Sequence, residues 1–145
     1  MYFPDAVRHP RMRLRKLGES WELTKKVPVV EGDGSRHYEY TIQLDQHEYA
    51  ALAALPGKKV HKRRYAYQWQ GRLIEIDVFL DDLAGLVLAD AEFSNQDEFQ
   101  AFIMPEFCLV DVTNEKSIRG GELCGRAYSD IESVLAAYGY KRLIA

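Results

Sequence analysis

Polar and apolar positions alternate with period two over most of the chain. Residues 11–18 set Arg11, Arg13 and Arg15 against Met12 and Leu14, and residues 21–26 set Glu22, Thr24 and Lys26 against Trp21 and Leu23. Residues 36–44 set His37, Glu39, Thr41 and Gln43 against Tyr38, Tyr40, Ile42 and Leu44. In 61–69, Lys62 and Arg64 stand opposite Tyr65, Tyr67 and Trp69; in 73–80, Glu75 and Asp77 stand opposite Ile74, Ile76, Val78 and Leu80. Residues 85–93 end with Asp90 and Glu92 opposite Ala89, Ala91 and Phe93, and 107–113 is a last candidate. Alternation with aromatic and β-branched enrichment predicts strands. Gln70-Gly71 marks a turn between two of them.

Three segments break this period with helical spacing. Asp45 opens the first, with Glu48 three residues later as a capping box and Pro56-Gly57 as its stop. The second opens at Ser94, puts Phe99, Phe102 and Ile103 on one face, and stops before Pro105. The third lies in a C-terminal helical segment, 126–145, opening at Ser129 and ending at Gly139. Residues 27–35 and 117–125 read as loops. Strands mixed with a few helices give the α+β class. Short connections suit an antiparallel barrel of about seven to eight strands with helices packed outside.

At 145 residues the chain fits one domain, 1–145. Its net charge of −3 exerts no global pull on nucleic acid or anionic membrane, so an anion site has to be a local cluster. No apolar run approaches the roughly 20 residues of a membrane span. The first ten residues are atypical and do not form a signal peptide. Cys108 and Cys124 make no disulfide framework and no zinc spacing, which predicts a reduced, cytoplasmic protein with inert thiols. His9, His37, His47 and His61 are scattered without paired ligand spacing.

The charges change the picture, because they fall in i, i+2 pairs of one sign: Arg13/Arg15, Lys62/Arg64, Glu75/Asp77 and Asp90/Glu92. A solvated face, the ordinary reading of a charged strand, mixes signs more often. Helices also need apolar surface, which the aromatic faces offer. With helices outside, the charged faces point inward. Such a lining suits a polyanion with divalent cations, since Arg and Lys grip phosphate and carboxylates hold Mg²⁺ or Mn²⁺.

In order and spacing, these stripes resemble the CYTH domain, the triphosphate tunnel metalloenzymes, over about residues 11–116. That family includes inorganic and thiamine triphosphatases and class IV adenylate cyclases. The resemblance implies an eight-stranded tunnel. Its R-x-R strand is similar to Arg13 and Arg15, its L-T-x-K strand to Leu23, Thr24 and Lys26, and its following Glu to Glu39, with Thr41 where a second Glu is common. Its K-x-R-Y stretch is similar to Lys62, Arg64 and Tyr65. Its D-x-F is similar to Asp77, with Glu75 alongside, and its E-x-E metal pair to Asp90 and Glu92. Its late V-T is similar to Val112-Thr113, followed by Lys116.

The resemblance thus assigns phosphate contacts to Arg13, Arg15, Lys26, Lys62, Arg64 and Lys116. It assigns metal to Asp77, Asp90 and Glu92, and water positioning to Glu39 or Glu75. Nothing in residues 1–10 matches the family's N-terminal E-x-E-x-K, so the first strand is expected to be absent or degenerate, through truncation or loss.

Three readings stay open: a Mg²⁺- or Mn²⁺-dependent hydrolase of inorganic, nucleoside or thiamine triphosphate; a non-catalytic module that grips polyphosphate, nucleotide or citrate-like anions; and a relic with a self-paired charged face. The expected partner is a triphosphate-containing small molecule, with no nucleic acid polymer and no membrane. An exposed barrel edge invites a homodimer.

Overall fold

The structure, a computed structural model, describes residues 1–3, 12–29, 37–119 and 121–143. These residues fall into two compact units, Met1–Lys59 and Val60–Ala145.

The first unit carries a four-stranded antiparallel sheet in the order β1 (Tyr2–Phe3), β2 (Met12–Leu17), β3 (Ser20–Pro28) and β4 (His37–Leu44). Its register puts Tyr2 beside Arg13, Arg13 beside Thr24, Arg15 beside Glu22, Thr24 beside Thr41 and Lys26 beside Glu39. Opposed residues of an antiparallel pair share a face, so every one of these side chains lies on one side. Leu14, Leu23, Tyr40 and Ile42 lie on the other. The helix α1 (Gln46–Ala53) follows β4, and Asp45 and Glu48 close the expected capping box. β1 is bound at both ends of Met1: the Met1 amino group donates to the Leu14 carbonyl at 2.6 Å, and the Leu14 amide donates to the Met1 carbonyl at 2.8 Å. A strand therefore does stand before β2. It is two residues long and turns Tyr2, not a carboxylate, toward the charged face. Residues 4–11, including Arg11 and His9, lie outside the described residues, as do 30–36 of the expected loop. That loop starts later than expected, because β3 runs to Pro28.

The second unit carries a three-stranded antiparallel sheet of β5 (Lys62–Trp69), β6 (Arg72–Phe79) and β7 (Val87–Ala91). Gln70 and Gly71 both have positive φ, +48° and +78°, and make the two-residue turn from β5 to β6. α2 (Gln96–Ala101) and the chain after it cover the aromatic face: Trp69 meets Phe102 edge-on at 6.0 Å, and Tyr67 meets Phe107 at 5.6 Å. The partners of these aromatics thus come from the chain after α2 rather than from the helix itself, and Tyr65 and Tyr67 stay 48% and 46% exposed. On β4, Tyr40 and Ile42 are each 60% exposed.

The core of this unit joins Phe79, Leu83, Leu86, Ile118, Leu123, Tyr128, Ile131 and Leu135. Phe79 and the adjoining Leu88 share the face of Asp77, so the core seals one end of the charged stripe.

Three expectations are corrected. Residues 107–113 form no strand: Asp111 accepts from both the amide and the hydroxyl of Thr113, at 2.8 and 2.6 Å, and this local turn takes the backbone out of extended pairing. Asn95, not Ser94, caps α2, accepting from the Glu98 amide at 2.9 Å. The C-terminal helix is confined to α3 (Glu132–Ala137), preceded by a tight turn at Tyr128–Asp130 in which Asp130, rather than Ser129, caps by accepting from the Ala127 amide. Gly139, at φ +74°, follows its end as expected. Among the described residues no helix is long and apolar enough to cross a membrane.

Candidate functional site

Alternation along β5 and β6 sends Lys62, Arg64, Glu75 and Asp77 to one face, and the short turn fixes how the two rows meet. Because Trp69 pairs with Arg72, Arg64 falls opposite Asp77 and Ala66 opposite Glu75. β7 adds Asp90 opposite Glu75. The anionic β6 row therefore lies between the cationic β5 row, with which it forms ion pairs, and the anionic β7 row.

Asp77 is the centre of this cluster and is 1% exposed. Its Oδ1 accepts from Arg64 Nε and its Oδ2 from Arg64 NH2, each at 2.7 Å. Lys62 Nζ donates to the same Oδ2. Burial works to raise this carboxyl, but the hydrogen bonds from Arg64 and Lys62 outweigh it and hold it below the usual range. Arg64 spends its NH1 on Glu75 and places NH2 3.5 Å from Asp90. The guanidinium is held charged by these partners, the Asp77 hydrogen bond first among them.

Asp90 differs in kind. Desolvation and then the charge of Asp77 raise its carboxyl above the usual range, although Lys62 and Arg64 pull the other way. It is the under-compensated carboxylate of the cluster. A raised folded-state pKa makes ionised Asp90 unfavourable above that pKa, and the cost disappears below the unfolded value of about 3.9. The Asp90 side chain is 59% exposed, so solvent screens much of this cost. Asp90→Asn is therefore expected to be only slightly more stable than the parent at neutral pH, with the gain shrinking to nothing below pH about 3.9. Urea denaturation at both pH values checks this; equal stability at neutral pH would refute it.

On the other sheet, Lys26 pairs with Glu39 at 2.5 Å. This hydrogen bond, opposed by slight burial and aided by the charges of Lys26, Arg13 and Arg15, holds the Glu39 carboxyl below its usual range. Thr24 and Thr41 hydroxyls meet at 3.0 Å, so the exposed Thr41 partners the buried Thr24 at the position where the resemblance has a carboxylate. Arg13 is half-buried, its guanidinium 6.0 Å from the Tyr2 ring centre. Its Nε is buried and has no hydrogen-bond partner among the described residues. Such an orphaned donor calls for an acceptor.

The structure thus gathers Lys62, Arg64, Glu75, Asp77 and Asp90 into one network, and separately places Arg13, Arg15, Lys26 and Glu39 on one face of the other sheet. Glu92 is exposed at the end of the same β7 row. It lines a cleft of about 440 Å³ with Glu75, Asp90, Arg72 and Glu98. Lys116 is exposed on a turn, Lys116–Ile118, with no ion pair to the network among the described residues. Among the described residues no three His, Cys, Asp or Glu side chains converge as a metal site. Arg72 and Glu98 went unread in the sequence. Arg72 stacks on Phe93 at 4.7 Å, donates to the Glu92 carbonyl at 2.7 Å and pairs with Glu98 at 3.1 Å, so it fixes the strand end that carries Glu92. The only signal for it was its place directly after the Gln-Gly turn.

No family model matches the chain. Curated relatives do. An inorganic triphosphatase of Nitrosomonas europaea is 38% identical over 114 residues, 77% of this chain and 73% of that protein. An inorganic triphosphatase of Acetivibrio thermocellus is 26% identical over 121 residues, 83% of this chain and 76% of that one. A crystal structure of an inorganic triphosphatase superposes with a TM-score of 0.63 at 33% identity, covering 79% of this chain and 75% of its own. On identity and coverage, the chain belongs to the family of the inorganic triphosphatases.

Proposed function

We propose that this protein is a divalent-metal-dependent triphosphatase of the CYTH type, acting on inorganic triphosphate or on a nucleoside or thiamine triphosphate. The observation that carries this reading is the Lys62–Arg64–Glu75–Asp77–Asp90 network on one strand face of a chain 38% identical to an inorganic triphosphatase. The tunnel implied by the resemblance belongs to this proposal, as does a cytoplasmic location.

Phosphoryl transfer needs positioning and charge neutralisation more than covalent help. Arg64 and Lys62 supply fixed donors. On the first unit, by itself, the resemblance assigns phosphate contacts to Arg13, Arg15 and Lys26, and the unpartnered Arg13 Nε is a donor that a phosphate oxygen would satisfy. Lys116 is a further cation on its own turn. Water adds to the terminal phosphorus, the bond to the bridging oxygen breaks, and inorganic triphosphate gives phosphate and pyrophosphate. Glu39 or Glu75 is the carboxylate for orienting that water. With a pKa held down by Lys26, Glu39 stays ionised near neutral pH and serves as an acceptor rather than an acid.

The trio Asp77, Asp90 and Glu92 does not fit a preformed metal centre as placed, because no three carboxylates converge. The pair Asp90 and Glu92 fits a looser role. Mg²⁺ is commonly held by one or two carboxylates plus substrate phosphates, and a cation relieves the raised Asp90 carboxyl. Once bound, it neutralises phosphate charge.

A second reading, a binding module without turnover, is favoured by the two-residue β1, which turns Tyr2 rather than a carboxylate toward the charged face. Phosphate release from tripolyphosphate with Mn²⁺ or Mg²⁺ decides. Turnover abolished by EDTA is expected. Calorimetric tripolyphosphate binding without turnover establishes the module, and absence of both removes the triphosphate reading.

A further inference from the structure

The Asp77 carboxylate has neither oxygen free. Oδ1 takes the Arg64 Nε proton, and Oδ2 takes protons from Arg64 NH2 and Lys62 Nζ. Three of a carboxylate's roughly four acceptor sites are filled. The side chain is buried, and the groups around it are cations, which repel another cation. Arg64 meets Asp77 with its Nε–NH2 edge. That geometry aims NH1 and the remaining NH2 proton away from Asp77, toward Glu75 and toward Asp90 at 3.5 Å. Two long cationic side chains are thereby held side by side against their mutual repulsion, with a defined set of donors left over.

We infer that Asp77 is a positioning residue for the anion site: it fixes Lys62 and Arg64 so that their remaining donors meet a triphosphate, and it is not a metal ligand. This rests on the triphosphate reading of the site. A triphosphate oxygen arriving at Arg64 displaces Glu75 or Asp90 from NH1 and NH2, while the Asp77 edge stays in place. Arg64 acts here as a two-sided fork, one edge structural and the other for substrate.

The sign of the charge effect gives a discriminating test. Asp77 is an anion close to a site for a polyanion. By bare electrostatics, Asp77→Asn strengthens tripolyphosphate binding, and loss of a metal ligand leaves metal-free binding unchanged. Positioning predicts the reverse. Calorimetry with tripolyphosphate in EDTA is expected to show Asp77→Asn weakened by about ten-fold or more. In an Arg64→Met background, Asp77→Asn is expected to weaken binding by far less, since its main client is gone; a merely structural role gives the same loss in both.

If Asp77→Asn does not fold, the parent protein supplies the readout. The Arg64 Nε–H signal in a ¹⁵N spectrum should stay protected from exchange when tripolyphosphate and then Mg²⁺ are added. Metal-free binding by Asp77→Asn as tight as the parent's, or loss of Arg64 Nε–H protection on adding Mg²⁺, overturns the inference. Parent protein that binds no tripolyphosphate overturns the triphosphate reading instead.

Discussion

On the proposed function, Arg64→Met is expected to lower kcat/KM for tripolyphosphate by on the order of 10³-fold, the scale set by removing an arginine that neutralises a transferring phosphoryl group. The same change destabilises the fold. It leaves Asp77, 1% exposed, with Lys62 as its remaining ion-pair partner among the described residues. Breaking a buried pair costs about 3–5 kcal/mol when the charge left behind is alone; with Lys62 still donating, about 2 kcal/mol is expected. Arg64→Lys separates the two effects. Lysine keeps the charge but not the fork, so it is expected to restore most of the stability and less than about a tenth of the activity. Urea unfolding and initial rates across these variants measure both. Arg64→Met with unchanged turnover would remove the β5–β7 network from the active site.

Much of that network was legible before any coordinate. The alternation of Lys62 and Arg64 against Tyr65 and Tyr67 defines two faces, and the Gln-Gly turn fixes the register: with Trp69 opposite Arg72, Arg64 must fall opposite Asp77. Like-signed i, i+2 pairs suggest something bound between the rows. The structure shows that the cationic β5 row and the anionic β6 row satisfy one another first, so the stripe is both an ion-pair lattice and a candidate anion site. A ligand has to compete with Glu75 and Asp90 for Arg64.

What escaped the sequence depends on burial and on local polar contacts. Asp77 and Glu75 look alike two residues apart. Yet Leu88 and the Phe79 end of the core bury one, while the other is half-buried at the cleft. Burial separates their roles, and no pattern along the chain reports it. The segment 107–113 has strand-like composition, but one Asx turn at Asp111 outweighs weak β-propensity. The two-residue β1 has no periodicity to detect, and its hydrogen bonds to β2 define it.

The core end of the stripe makes the other large prediction. Phe79 is 2% exposed and sits two residues from Asp77 on the same face, with the Lys62 ammonium 5.7 Å from its ring centre. It also belongs to the cluster that Leu86, Leu123, Ile131 and Leu135 build. Phe79→Ala opens a cavity in that cluster and is expected to cost about 3–5 kcal/mol. It also admits water beside Asp77, where the low local dielectric strengthens the Lys62 and Arg64 bonds. Phe79→Leu refills most of the volume and costs about 1 kcal/mol. It removes the ring under Lys62, however, an interaction of about 0.5–1 kcal/mol at a partly exposed site. Leucine is therefore expected to keep the fold and weaken tripolyphosphate binding a few-fold, through a less constrained Lys62. If Phe79→Leu binds as tightly as the parent, the core supports the strands but does not tune Lys62, and Asp77 alone orders that side chain.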